Sequence, residues 1–324
     1  MPSSTHFPDS SDSFASAKTL TAFLVRAEAL LARLESAFPS PPPPPDWGKI
    51  IACRWKKKNG VSCFAPIRQI HPIRLDDLTG IEEQKKRALA NTRQFIAGKP
   101  ANNVLLTGAR GSGKSSLIKA LLNEFAHSGL RLVEVDKDDL ADLPDLIDAL
   151  SGRAERFILF CDDLSFEAGE HTYKALKSAL DGSVAAPPDN VLIYATSNRR
   201  HLLPEFFTEN LESSRADNGE IHPGESIEEK ISLSERFGLW ISFYPFDQEE
   251  YLAIVAHWLA TFGFTPSAIA ARQREALNWA LSRGSRSGRV AWQFARYAAG
   301  GMESAEKKLR AAFSKKSHAA KKYG

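Results

Sequence analysis

This chain of 324 residues is narrowed first by what it has little of. Three cysteines are too few, and odd in number, for a disulfide framework. No run of about 18 apolar residues occurs, so no bilayer-spanning helix and no membrane partner is expected. The first thirteen residues lack the basic-then-apolar order of a secretory leader, and the reading is a cytoplasmic protein. Eight histidines show no ligand spacing with cysteines or carboxylates, which excludes a recognisable zinc motif. Neither charge sign dominates: 42 Lys and Arg stand against 39 Asp and Glu, a net charge of +3. Apolar residues at 43% and charged residues at 25% are ordinary globular values, excluding collagenous and wholly disordered chains. The charges are unevenly placed, however. Residues 49–99 carry twelve basic against four acidic side chains, and residues 272–324 thirteen against three. Two such flanks point to nucleic acid or an acidic protein as a partner; solvated faces and a loose tail are the other reading.

Residues 1–13 read as disordered and 14–38 as an amphipathic helix. There Leu20, Phe23, Leu24, Leu30, Leu31, Leu34 and Phe38 recur at i, i+3/i+4 and i+7. Five prolines at 41–45 cannot continue a helix and make 39–46 a polyproline linker. A β-hairpin extension is expected over 47–74, because apolar strands flank Asn59-Gly60, a two-residue turn. That register sets Cys53 opposite Pro66 and Cys63 opposite Lys56, on opposite faces, which argues against a Cys53–Cys63 disulfide. Arg54-Trp55-Lys56-Lys57-Lys58 interleaves an aromatic with cations; it reads either as a phosphate-and-base-stacking strip or as a lysine-guarded edge strand. Over 75–245, short apolar runs at 103–107, 130–135, 157–161, 191–195 and 239–243 alternate with helical segments, the pattern of buried parallel strands. Residues 246–300 read as a small helical domain, with helices at 248–262, 266–282 and 290–299, and 301–324 as a basic tail. The stretch 202–232 reads either as a partner-binding loop or as a solvated insertion.

The chemistry concentrates at three strand ends. Gly108-Ala109-Arg110-Gly111-Ser112-Gly113-Lys114-Ser115 is a full G-x-x-x-x-G-K-S match, with a buried strand before it and an apolar-periodic helix (Leu117, Ile118, Leu121, Leu122) after it; these eight residues and Ser116 are the expected nucleotide-binding residues. Its glycines let backbone N–H groups converge on phosphate oxygens at a helix N-terminus. Lys114 would reach the β- and γ-phosphates, and the Ser115 hydroxyl would bind Mg²⁺. The run 157–161 delivers Asp162 and Asp163 at the end of the sheet where ligands bind. Asp162 suits the Mg²⁺ carboxylate and Asp163 the group that orients and deprotonates water; capping of the following helix is the competing role. The strand 191–195 ends in Thr196-Ser197-Asn198, and the Asn198 amide suits the lytic water and γ-phosphate without adding charge. Arg199 and Arg200 serve either phosphate or the acidic segment beyond them.

In this order a phosphate loop, a strand with two acids and a strand ending in Ala-Thr-Ser-Asn resemble the AAA+ ATPases. The resemblance runs from Leu75 to Ala299 and is most like a bacterial AAA+ family of unassigned function, with some likeness to replication initiators and helicase loaders. It implies an α/β P-loop fold with a five-stranded parallel core and a C-terminal helical lid, with ATP and Mg²⁺ as cofactors. Ser234-Glu235-Arg236-Phe237-Gly238 resembles the family's arginine-finger element. Arg236 would then enter a neighbouring subunit's ATP, implying a ring or helical homo-oligomer. Ser285-Arg286-Ser287-Gly288-Arg289 resembles the second sensor, with Arg289 on the phosphates from the lid and Arg286 as the nearby competitor for that role. Leu75–Ile81 resembles the segment over adenine, with Ile81 as its contact. The departures are equally specific. Asp163 is one methylene shorter than the usual Glu, the segment at 136–140 lacks the loop of threading translocases, and neither a peptidase motif nor a helix-turn-helix is present. Taken together, the resemblance implies Mg-ATP hydrolysis coupled to remodelling or loading a macromolecule, with a slowly hydrolysing ATP-gated binding module as the alternative.

Overall fold

The computed structural model describes residues 10–37, 43–58, 61–166, 171–181, 188–199, 214–215, 221–222 and 235–301. The expectations for the tail at 302–324, for Arg200, for the first nine residues and for most of the 202–232 stretch lie outside them. The chain divides into two units, Met1–Pro44 with Lys57–Phe64, and Pro45–Lys56 with Ala65–Gly324. In the first, α1 (Ser10–Ala37) starts four residues ahead of its expected boundary, since nothing after Pro8 breaks a helix. Its Leu20, Phe23, Leu24, Leu30 and Leu31 are exposed. No helix among the described residues is long and apolar enough to cross a membrane.

In the second unit all five apolar runs form strands. They are β3 (Val104–Gly108), β4 (Leu130–Glu134), β5 (Arg156–Cys161), β6 (Val191–Ser197) and β9 (Leu239–Phe243). Their order is β4-β5-β6-β3-β9, every neighbouring pair parallel. A near-continuous apolar strand is stable only with both faces covered, and here β3 to β6 are buried almost throughout. The helices α2 (Glu82–Ile96), α3 (Lys114–Phe125), α4 (Leu143–Leu150) and α5 (His171–Asp181) cover them. In α3, Leu117, Ile118, Leu121 and Leu122 are at most 2% exposed, each burial stabilising by about 1.5–3 kcal/mol.

The hairpin expected as a separate extension belongs to this sheet. β1 (Ala52–Lys58) pairs parallel with β4, Ala52 opposite Leu132, and β2 (Val61–Pro66) lies outside it, giving seven strands. The Ile67 N–H donates to the Ala52 carbonyl at 2.9 Å, the register that a two-residue turn at 59–60 requires. Docking covers an edge of β4 that would otherwise present unpaired backbone groups. It also corrects the stacking reading of the basic strip. Trp55 is 5% exposed and donates from Nε1 to Asp142 at 3.1 Å, while Arg54 pairs with Glu134 at 2.6 Å. Strand alternation turns the aromatic into the core, so it presents no face to a base. All three cysteines are free, and burial pushes the Cys53 and Cys161 thiols up to about 12.

Two short strands, β7 (Ser214–Arg215) and β8 (Ile221–His222), pair antiparallel within the 202–232 stretch. After β9 the chain is helical: α6 (Gln248–Thr261), α7 (Pro266–Ala271), α8 (Gln273–Ser282) and α9 over 288–301. A reciprocal capping box starts α6, with Asp247 accepting from the Glu250 N–H and Glu250 from the Asp247 N–H. The single helix expected over 266–282 is two. Arg272 breaks it at φ −98°, ψ 0°, with its guanidinium turned back over the Phe264 ring at 4.8 Å. No proline or glycine announces that break.

Candidate functional site

The phosphate-loop sequence occupies the turn between β3 and α3. Gly108 has φ +128°, and a Cβ there would stand 1.9 Å from the Phe243 carbonyl oxygen, so only glycine lets β3 and β9 run side by side into the loop. Gly111, at φ +73°, supports the C-terminal helices: a Cβ would meet Ser287 Cβ at 2.9 Å. Across that contact the Gly288 N–H donates to the Gly111 carbonyl at 2.9 Å. The segment opening α9 therefore sits directly on the loop, and Arg289 lines the same cavity as the loop.

That cavity, about 540 Å³, gathers most of the residues singled out from sequence. Its polar end is formed by Arg110 to Ser116, Asp162, Asp163, Asn198 and Arg289. Its apolar end holds Ile81 with Leu78, Phe246, Ile254, Trp258 and Trp292. Ile81, 4% exposed, lies against the loop at Gly113. Gly108 and Ala109 enter through their carbonyls rather than the cavity wall. The Lys114 ammonium donates to them at 2.7 and 2.8 Å and to Asn198 Oδ1 at 3.0 Å. Burial pulls Lys114 down to about 8, against Asp163 and Asp162, which favour its charge; Arg289 and Arg110 add to the lowering.

The acids form a second, connected knot. Ser115 Oγ donates to Asp162 Oδ1 at 2.6 Å, and Asn198 Nδ2 donates to Asp163 Oδ1. Arg110 stands 3.7 Å from the other Asp163 oxygen, an exposed pair that contributes little to stability. A hydroxyl and a carboxylate on adjacent elements, at the mouth of a cavity, fit Mg²⁺. That ion keeps several waters and takes its remaining oxygens from one or two side chains and the phosphates.

Two arginines lie elsewhere. Arg286 lines a separate cavity behind the loop with Asn278, Leu281 and Ser287, whereas Arg289 lines the cavity of the loop. Arg236 sits ahead of β9 at the opposite edge of the sheet. There it pairs with Asp181 at the end of α5 and lines a cavity with Phe95, Lys99 and Pro188. It does not reach its own chain's phosphate loop. Sequence reasoning passed over Thr196, whose hydroxyl contacts both acids, and the aromatic wall of Phe246, Trp258 and Trp292. The Thr196 signal was present in the Ala-Thr-Ser-Asn run. The wall residues sit on or beside helices, where aromatic spacing alone reads as core.

Strand β6 stands between the phosphate-loop strand β3 and the acid-bearing β5, and helices follow β9. With the loop and acids at the same sheet edge, this is the AAA+ ATPase fold. The chain belongs to the family described as "Protein of unknown function (DUF815)", which matches residues 48–302. Over 70 residues it is 37% identical to the replication factor C large subunit of Thermofilum pendens, spanning 21% of this chain and 16% of that protein. Among solved structures it is similar to a mutant of Thermotoga maritima RuvB. There the identity is 16% and the TM-score 0.45, over 70% of this chain and 64% of that one. It is also similar to a chain in the HORMA:CdnC:Trip13 complex of E. coli MS115-1, at 14% identity and TM-score 0.46 over 71% and 93% of the two chains. At such identities and scores the likeness says nothing of what this chain acts on.

Proposed function

We propose that the protein binds Mg-ATP and hydrolyses it, using nucleotide state to remodel or load a macromolecular partner. The observation that carries this is the convergence in one cavity of Lys114, Ser115, Asp162, Asp163, Asn198 and Arg289, drawn from separate elements of the fold. The loop 108–115 would cradle the triphosphate and the apolar end of the cavity, Ile81 included, the base. Ser115 and Asp162 would hold Mg²⁺, whose chemistry is to neutralise phosphate charge. Asp163 accepts the proton of an attacking water that Asn198 helps to orient, and Arg289 adds positive charge from the lid. Arg236 acts on the site of a neighbouring copy in a homo-oligomer, which its position at the far sheet edge supports. The basic hairpin supports a nucleic acid or acidic protein as the load; the setting we infer is the cytoplasm.

The test is phosphate release from ATP by the full chain in Mg²⁺, with nucleotide affinity measured on the same sample. Release that depends on Mg²⁺ is expected; tight binding without release transfers the case to the second reading. That reading, an ATP-gated switch with slow turnover, is favoured by one observation. The short Asp163 carboxylate is engaged by Asn198, which is itself engaged by Lys114.

Lys114 makes nucleotide binding sensitive to pH. Bound phosphates favour its charged form, whereas in the free protein the group loses its proton above about 8. Nucleotide binding should therefore take up most of one proton at about pH 9 and little at about pH 7, with affinity falling as pH rises past 8. Calorimetry in buffers of different ionisation heat reads this directly. Equal heats in both buffers at pH 9 would show that Lys114 is already protonated in the free protein.

A further inference from the structure

The two acids after β5 hang on one residue of the neighbouring strand. Thr196, near the end of β6 and 1% exposed, donates from Oγ1 to Asp162 Oδ1 at 2.6 Å. The same oxygen accepts the Asp163 N–H at 2.8 Å, and the Thr196 carbonyl accepts the Leu164 N–H at 2.7 Å. A hydroxyl has one proton to give and lone pairs to accept with, so both side-chain bonds form at once. Three consecutive residues are thus fixed from a single position.

The turn needs such fixing. Asp163 has φ +54°, the only positive value at a residue other than glycine among the described residues. Residues held in that region persist where their surroundings over-determine them. At Asp163 this conformation directs the N–H to β6 while the carboxylate meets Asn198. On Asp162 the Thr196 and Ser115 hydroxyls both bond Oδ1, which sets the rotation of the carboxylate.

We propose that Thr196 is a positioning residue for phosphoryl chemistry. Its hydroxyl orients Asp162 toward the metal and holds the left-handed turn that presents the short carboxylate of Asp163. This rests on the nucleotide reading above. Thr196→Val keeps the branched shape and removes donor and acceptor together, whereas Thr196→Ser keeps the hydroxyl.

The experiment measures the affinity of the full chain for a fluorescent N-methylanthraniloyl ATP, in EDTA and in Mg²⁺, beside kcat and KM for ATP. In EDTA the three proteins should bind alike. In Mg²⁺ the extra tightening seen in wild type should shrink about tenfold in Thr196→Val, and kcat should fall about 10–100-fold with KM nearly unchanged, the range for residues that orient metal ligands. Thr196→Ser should recover most of both. Full Mg²⁺ tightening in Thr196→Val overturns the proposal, and so does an equal loss in Thr196→Ser, which would make the effect one of packing. Circular dichroism monitors folding, and Thr196→Ala replaces Thr196→Val if the latter melts below the assay temperature. Wild type that binds no nucleotide in either condition overturns the nucleotide reading and this one with it. Wild type that binds with Mg²⁺ tightening but never turns over overturns hydrolysis alone, and the affinity arm still decides Thr196.

Discussion

Asp163→Asn is expected to lower steady-state ATP turnover about 10²–10⁴-fold, the range lost with a general base. The substitution keeps the shape and hydrogen bonds of the position, while removing one of the two carboxylates that favour the charge on Lys114. Asparagine tolerates the left-handed backbone of this position as well as aspartate does, so φ +54° can persist. Its amide oxygen still accepts from Asn198, and its N–H still reaches Thr196. What disappears is the negative charge and the capacity to take a proton from water. The ion pair lost is the exposed one with Arg110, and such a pair is worth about 1 kcal/mol or less. Mg-ATP affinity should therefore stay within about fivefold of wild type. Steady-state phosphate release and equilibrium binding on the two proteins separate the readings. Equal turnover in both sinks hydrolysis by Asp163 and promotes the ATP-gated switch.

Arg236→Ala is expected to cost about 10³-fold or beyond in turnover, with nucleotide binding intact, if the arginine acts on a neighbouring copy. The geometry makes the claim sharp. Arg236 is at the sheet edge opposite its own phosphate loop, so a direct contact with ATP would have to be made in a second chain. Complementation gives the decisive arm. A Lys114→Ala protein cannot hold the triphosphate but still offers Arg236, and an Arg236→Ala protein has the converse defect. Mixing them should restore part of the activity, and the particle mass should rise with Mg-ATP. Asp181→Asn is the control, because it removes the Arg236–Asp181 pair and keeps the arginine itself. If Asp181→Asn reproduces the loss, Arg236 matters for local structure. If turnover ignores Arg236 and the mass stays that of one chain, the site is complete within one copy.

Much of the site was legible because its parts are local. The phosphate loop is eight consecutive residues, and the acids and Asn198 each end an apolar run, so motif and strand end coincide in sequence. The parallel core was legible for the same reason: a strand buried on both faces has to be apolar along its whole length, as 157–161 and 191–195 are. The hairpin register followed from two turn residues. Its destination did not, because no local feature of 52–58 says which edge it will cover, and the burial of Trp55 depends on Asp142, 87 positions away. The break at Arg272 went unseen because no proline or glycine marks it in the sequence.

By itself, then, the sequence determined the class of chemistry, the order of the core strands along the chain and the residues that could touch a triphosphate. These are properties of short segments whose neighbours lie within a turn or a strand. Tertiary structure separated the neighbouring candidates Arg289 and Arg286, placing the first in the loop's cavity and the second in another. It alone seated the start of α9 on Gly111, brought the aromatic wall to the apolar end and hung both acids on Thr196, 34 positions from Asp162. Those choices depend on how separate elements pack, and hydrogen bonds between strands and lid are set by that packing rather than by any local spacing.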